Sequence, residues 1–204
     1  NDAGTFTPKD WSVDVGYARK LTDDLSVGAT ARFIRSDMSG LDKDDVANAV
    51  AFDLGLYYRR NFENWEQSQW AVGLQASNFG TKIDYGYGKY DQASKVAAGG
   101  MIDHVFTDKH RLQGTLDVAC QVLPNTNWGG SVGVEYTLLQ IVAIRGGYHY
   151  GEQDNKLQRY GTLGCGVGCH HIKADFAYLI PEKDSLLKNT WQVALSIDLG
   201  LFKR

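Results

Sequence analysis

Residues 49–78 read AVAFDLGLYYRRNFENWEQSQWAVGLQASN and decide the fold class of this chain. From Val50 to Tyr58 apolar side chains take every second position, and small or polar residues lie between them. The same alternation returns after Trp70. A period of two is the period of a β-strand. The stretch therefore predicts a long antiparallel hairpin whose two strands are joined by a polar linker at residues 60–69.

The two faces of this hairpin differ in a way that is typical of a membrane barrel. Each strand has about 9–11 residues, the length that crosses a bilayer at a tilt. The apolar face ends in Tyr58 and Trp70, which suits an interfacial aromatic girdle, and the other face carries the small residues and isolated charges of a polar lumen. We therefore predict a transmembrane β-barrel, with a soluble β-sandwich that binds or adheres to a partner as the alternative.

The same pattern continues along the chain from residue 11 to residue 201 and gives about eleven strands. Short and longer connections alternate, as expected of periplasmic turns and external loops. The short ones are 21–24, 107–110, 138–140 and 170–171, and the longer ones are 36–48, 78–93, 123–127, 151–158 and 181–189. We predict one all-β, antiparallel barrel domain over residues 1–204, with these side chains facing lipid: Val50, Phe52, Leu54, Leu56, Leu195, Ile197 and Leu199.

Composition excludes several other classes. The chain has 204 residues, 23 of them Gly and only 3 Pro, which suits one sizeable all-β domain. Its net charge of −3 and scattered basic residues argue against a nucleic-acid partner. No run of 18 apolar residues is present, so no helical membrane span is expected. With 3 cysteines, the chain is not a disulfide scaffold.

No catalytic, metal or cofactor site is predicted. Cys165 and Cys169 precede His170-His171, but residues four apart in a strand are about 13 Å apart, too far to share a zinc ion at about 2.3 Å from each sulfur. We interpret both cysteines as structural or lipid-facing. No serine lies in a nucleophile motif, so we expect no enzyme activity.

Two sets of residues are candidates for function. One is an external loop rich in Gly and Tyr, a candidate recognition surface because aromatic residues suit protein contacts; an interfacial aromatic belt is the alternative. Its residues are Phe79, Lys82, Tyr85, Tyr87 and Tyr90. The other set comprises charges predicted to face the lumen, where we favour cross-strand ion pairing over a ligand path. They are Asp14, Arg32, Asp53, Asp117, Glu135, Arg145, Lys173, Asp175 and Asp198.

The order and spacing of several blocks resemble a known family. The blocks span residues 13–40, 49–60, 70–86, 131–150, 175–181 and 189–199, and the most specific are RFIRSD at 32–37 and SNFGTKIDY at 77–85. They resemble the PorV/PorQ-like outer-membrane proteins of the type IX secretion system in Bacteroidetes, which are built on a FadL-like barrel. The resemblance implies a location in the bacterial outer membrane. It also implies fourteen strands and an N-terminal plug, so that the plug and first strands are expected to precede this sequence.

The function that the resemblance implies is non-enzymatic transport. Such a protein binds the C-terminal signal domains of secreted cargo and delivers them from the translocon to the surface attachment machinery. Its partners are outer-membrane lipid, type IX translocon and attachment-complex proteins, and the cargo signal domains. Two alternatives are a FadL-like channel for hydrophobic small molecules and an outer-membrane lipid A deacylase, although no Ser/His/acid arrangement supports the latter.

Overall fold

The computed structural model describes residues 9–37, 46–86, 88–152, 159–169, 172–182 and 189–197. Their regular structure consists of strands, and the long strands are built from the alternating segments of the sequence. The strands are β1 (Lys9–Lys20), β2 (Leu25–Asp37), β3 (Val46–Phe62), β4 (Trp65–Gly80), β5 (Ile83–Asp84), β6 (Lys89–Tyr90), β7 (Lys95–Thr107), β8 (His110–Gln121), β9 (Asn127–Leu138), β10 (Val142–Gly151), β11 (Tyr160–Cys169), β12 (Ile172–Pro181) and β13 (Trp191–Ile197).

Eleven of these strands form one antiparallel sheet, so the predicted all-β fold class and strand count are confirmed. The order is β1-β2-β3-β4-β7-β8-β9-β10-β11-β12-β13, with β5 and β6 in a separate two-stranded sheet. This arrangement is consistent with a β-barrel. Within the described ranges no pairing joins β1 to β13, so the sheet is not closed there. No helix in the described part of the chain is long and apolar enough to cross a membrane.

The prediction of a polar linker at residues 60–69 is wrong. β3 continues to Phe62 and β4 begins at Trp65, leaving only a two-residue turn. The polar residues that hide the alternation, Asn61, Gln67 and Gln69, line a polar cavity. The rings of Phe62 and Trp65 contact each other edge-on, with centroids 5.6 Å apart. Strand pairing therefore continues although the sequence there lacks apolar periodicity.

The chain divides into two compact units, which are described separately. Unit 1 comprises residues 1–58, 73–98 and 119–127. Its strands have an inverted distribution of side chains: the large apolar side chain of Leu54 is 62% exposed, while Ser36 on β2, Ser77 on β4 and the small Ala51 on β3 are buried. Phe52, Leu54 and Leu56 lie exposed on one face of β3, as the alternation predicted.

Unit 2 comprises residues 59–72, 99–118 and 128–204. Its distribution is inverted in the same way, since Ile144 and Leu195 are exposed while Asp103 and Ser68 are the largest fully buried side chains. Ile197 also lies exposed, whereas Leu199 is outside the described residues. Water-soluble domains bury their large apolar side chains and expose their charges. Both units differ from a water-soluble domain in this respect, since each has an exposed face of large apolar side chains and an opposite face of small or polar side chains.

Candidate functional site

Asn78 joins the two most specific sequence blocks within unit 1. Its backbone is in the left-handed region, with φ of 60°, which asparagine tolerates better than most residues. The Asn78 N–H donates to Asp53 Oδ1 at 2.7 Å, and Arg32 Nη1 donates to Asn78 Oδ1 at 2.9 Å. The block at 32–37 thus binds the block at 77–85 directly.

Arg32 is the charged centre of this cluster. Its Nε donates to Asp14 Oδ1 at 2.8 Å, and its Nη2 lies 3.4 Å from Asp53 Oδ2. Asp14 and Arg32 are directly opposite across β1 and β2, where opposite charges attract most effectively. Three of the predicted charges therefore meet here, each supplied by a different strand.

The chain from residue 79 to residue 94, called the 79–94 segment below, is held by buried polar groups. Gln92 Nε2 donates to the Val50 carbonyl at 3.0 Å and to the Thr81 carbonyl at 2.6 Å. The Tyr85 hydroxyl donates to Ser36 Oγ at 3.0 Å, and Ser94 Oγ donates to the Asn78 carbonyl at 2.7 Å. Since these bonds fix several points of the segment, its exposed side chains are presented by an ordered backbone.

The middle of the 79–94 segment is the β5–β6 hairpin. The hairpin and the residues next to it carry two ion pairs. Lys82 Nζ lies 3.0 Å from Asp91, and Lys89 Nζ lies 3.1 Å from Asp84. A hydrogen bond from the Gly86 N–H and the nearby Lys89 ammonium hold the pKa of Asp84 below its ordinary value. These pairs neutralise most of the local charge, so aromatic rings dominate the chemistry of the hairpin.

The exposed face of the 79–94 segment is aromatic. Phe79 and Tyr90 are both exposed, and the Tyr90 ring contacts the Tyr85 ring edge-on with centroids 5.9 Å apart. Tyr87, another of the five candidate recognition residues, lies outside the described residues. Asn78 was not among the predicted recognition residues, although its position in the sequence SNFG at residues 77–80 offered a signal.

Gly80 allows the 79–94 segment to cross close to β3. A Cβ at this position would overlap the Val50 carbonyl oxygen and lie 2.8 Å from Ala51 Cα. The same carbonyl accepts hydrogen bonds from Thr81 N–H at 2.9 Å and from Gln92. Only glycine, which has no side chain, allows the two backbones to lie this close together.

In unit 2, Arg145 bridges two carboxylates on the polar face. Its Nε donates to Glu135 and its Nη1 donates to Asp175. Glu135 is directly opposite Arg145 on β9, whereas Asp175 lies two strands away on β12. The intervening residue is Gly166, where a Cβ would overlap the Asp175 carboxylate and lie 3.2 Å from Arg145 Nη1. Glycine on β11 is therefore what lets the guanidinium reach β12.

A second ion pair of unit 2 was not among the predicted charges. Asp103 is 1% exposed and accepts hydrogen bonds from Arg111 Nε at 2.6 Å and from Gln69 Nε2 at 3.0 Å. The run of small residues at 97–100 obscured the alternation of β7 and hence the face of Asp103. The sequence signal that could have found it is the alternation of Ile102 and Phe106, which places Asp103 on the opposite face of the strand.

These two networks line a cavity of about 620 Å³ in unit 2. Its wall also carries Lys109 and Lys173, neither of which makes an ion pair with another described residue. Asp117 is exposed on β8 and is likewise without an ion pair within the described ranges. Asp198 lies outside the described residues. Among the residues that line the 620 Å³ cavity, acidic and basic side chains are present in similar numbers.

The cysteines lie away from these polar groups. Cys165 is exposed and sits opposite Ile144 on β10 and Phe176 on β12. Cys169 pairs in register with Ile172. His170 and His171 lie outside the described residues.

The fold and site together define a class of protein: an antiparallel β-sheet protein with an exposed apolar face, an ion-paired polar face and an ordered aromatic loop. The family model described as Type IX secretion system protein PorV matches residues 1–127. The chain belongs to this family, which confirms the resemblance seen in the sequence. The matched region includes the whole Arg32–Asn78 cluster and the 79–94 segment. No curated protein matches the chain.

Proposed function

We propose that this protein is an outer-membrane β-barrel component of type IX secretion that binds cargo C-terminal signal domains and delivers them to the surface attachment machinery. Membership of the PorV family supports a role in type IX secretion. The observation that carries the membrane location is the inverted distribution of side chains, with Leu54 exposed and Asp103 buried. In lipid the exposed apolar face replaces water contacts by acyl-chain contacts.

In this proposal the polar face lines the barrel interior. On that face the guanidinium groups of Arg32 and Arg145 are each paired with two carboxylates. A channel for hydrophobic molecules needs an apolar path, which these charges oppose. The protein then acts through its external surface and is not an enzyme.

The 79–94 segment is the surface that we propose to contact the cargo signal domain or an attachment protein. Its exposed aromatic rings, Phe79 and Tyr90, supply the kind of residue that is enriched at protein interfaces. Its backbone is already ordered by Gln92 and Tyr85. Because little conformational entropy remains to be lost, a partner can bind it at low ordering cost.

The proposal is tested in the native bacterium by deleting the gene and restoring it with variants. Deletion is expected to leave cargo with the type IX signal in the periplasm, measured by fractionation and immunoblotting. The purified Tyr90→Ala protein should bind a purified signal domain more weakly by about 1–2 kcal/mol, roughly 5- to 30-fold. Tyr57→Ala is the matched control, because Tyr57 is also exposed in unit 1 but lies on β3 outside the segment.

Normal cargo export in the deletion strain would overturn the secretion role. Equal effects of the two tyrosine variants, with secretion still dependent on the protein, would instead overturn only the assignment of the 79–94 segment. Recovery of the native protein in the soluble fraction, without detergent, would refute the membrane location.

A further inference from the structure

A second cavity of unit 2 has a use that the proposed secretion role does not require. It lies on the polar face of β8–β11 and has a volume of about 390 Å³. Small-molecule sites commonly have volumes of about 300–1,000 Å³. We call it the glycine trough, after the two glycines at its floor, Gly133 and Gly147.

The floor of the glycine trough is a row of four residues from neighbouring strands. Gly133 pairs with Gly147, and Gly147 pairs with Thr162. A Cβ at Gly133 would lie 2.9 Å from Thr115 Oγ1, and one at Gly147 would lie 3.0 Å from Thr162 Oγ1. Any side chain at either glycine would therefore fill the space between the two threonine hydroxyls. Neither hydroxyl makes a side-chain hydrogen bond within the described ranges.

One wall of the glycine trough carries one basic and one acidic side chain, Arg145 and Glu135, which pair with each other. Arg145 donates to Glu135 and to Asp175, and Thr137 Oγ1 also donates to Glu135 at 3.2 Å. Gln113 completes the lining on this side. A charged ligand would find no uncompensated partner here, whereas a neutral ligand with hydroxyl groups could bond to the amide and to the outer edges of the ion pair.

The opposite wall is aromatic and polar. His149 stacks on Tyr160 with ring centroids 5.0 Å apart, and His149 Nδ1 lies 2.9 Å from Ser131 Oγ. This stack provides a flat ring surface at one end of a cavity whose lining also includes hydroxyls, the Gln113 amide and the Arg145–Glu135 ion pair. A flat ring surface beside directed polar groups favours a ligand that has both an apolar face and hydrogen-bonding groups.

We propose that the glycine trough binds a neutral sugar ring. The C–H face of such a ring packs against an aromatic side chain, while its hydroxyls both donate and accept hydrogen bonds. Thr115 and Thr162 offer hydroxyls at the two ends of the floor, and the glycines between them let the ring approach the backbone. The sugar is either free or the head of a glycolipid, since the same ring chemistry serves both.

The test uses the full native protein purified in lauryldimethylamine oxide, a detergent without a sugar head group. Binding of glucose, galactose, mannose and maltose is measured by saturation-transfer NMR, and octyl glucoside serves as the lipid-linked probe. We expect binding by at least one probe, weakened about 5-fold or more by Thr162→Val, which removes one hydroxyl at nearly constant shape. Thr30→Val is the control, because Thr30 lies on the polar face of unit 1 and outside the glycine trough.

Binding of a free sugar that Thr162→Val weakens supports the site and a soluble ligand. Binding of octyl glucoside alone, with the same sensitivity to Thr162→Val, supports the site and a glycolipid. Absence of binding by every probe, or equal binding by the Thr162→Val and Thr30→Val proteins, overturns the proposal. These outcomes are independent of cargo export, so the secretion role can stand or fall separately.

Discussion

Replacing Gly80 by alanine tests how the 79–94 segment is attached to β3. The added Cβ would overlap the carbonyl oxygen of Val50 and press on Ala51 Cα. Both obstacles are backbone atoms, which cannot rotate away as a side-chain end can. The segment must therefore move off β3, and the hydrogen bonds from Thr81 and Gln92 to the Val50 carbonyl are lost.

The expected loss of stability follows from these two terms. Two hydrogen bonds contribute about 1–3 kcal/mol together, and forcing an extra methyl group into a closely packed site costs about 1–3 kcal/mol. We therefore expect Gly80→Ala to lower the free energy of unfolding by about 2–6 kcal/mol. The measurement is urea unfolding of the protein in lipid vesicles, followed by tryptophan fluorescence.

Gly55→Ala is the matched control for Gly80→Ala. Both glycines lie in unit 1, but a Cβ at Gly55 would have nothing within 4 Å. The control should be neutral or stabilising, by about 0.4–1 kcal/mol through the unfolded chain. If the two alanine variants unfold at the same urea concentration, the close approach of the segment to Val50 is not what holds it.

Three further substitutions probe other parts of the molecule. Leu54→Arg should destabilise the protein in vesicles by about 2–4 kcal/mol if this side chain faces the middle of the bilayer. Gly166→Ala should separate Asp175 from its guanidinium partner at a cost of about 0.2–1 kcal/mol in urea unfolding, since this pair is partly exposed. The lowered pKa of Asp84 means that its ion pair is present at neutral pH and is lost as the pH falls through that lowered pKa. Lys89→Gln removes the ammonium and should therefore raise the midpoint in an NMR titration of the Asp84 carboxyl group.

Each of these predictions has a control or a contrary result. Gly55→Arg, on the opposite face to Leu54, should be tolerated, and equal costs would refute the face assignment. Gly166→Ala and Asp175→Asn should be non-additive, because each removes the same contact; additive costs would show that the glycine serves another purpose. An unchanged Asp84 midpoint in the Lys89→Gln protein would mean that the ammonium does not act on this carboxylate.

The sequence predicted local structure well because alternation is a property of neighbouring residues. The exposed face of β3, with Leu54, and the eleven long strands follow from the period of two. The prediction was wrong at residues 60–69, where polar side chains that line a cavity look like a loop. It also missed the pair of Asp103 with Arg111, because Ala and Gly residues in β7 carry no face signal.

The amino-acid sequence by itself determined the fold class, the two unlike faces of the sheet and the family, since each depends on the order of residues along the chain. Only the tertiary structure decided which distant groups meet. Arg32 meets Asn78 across 46 positions, and Arg145 reaches Asp175 because Gly166, the β11 partner of Asp175, has no side chain to block the contact. Such contacts depend on how strands align, and one residue of slip would move every side chain to the other face.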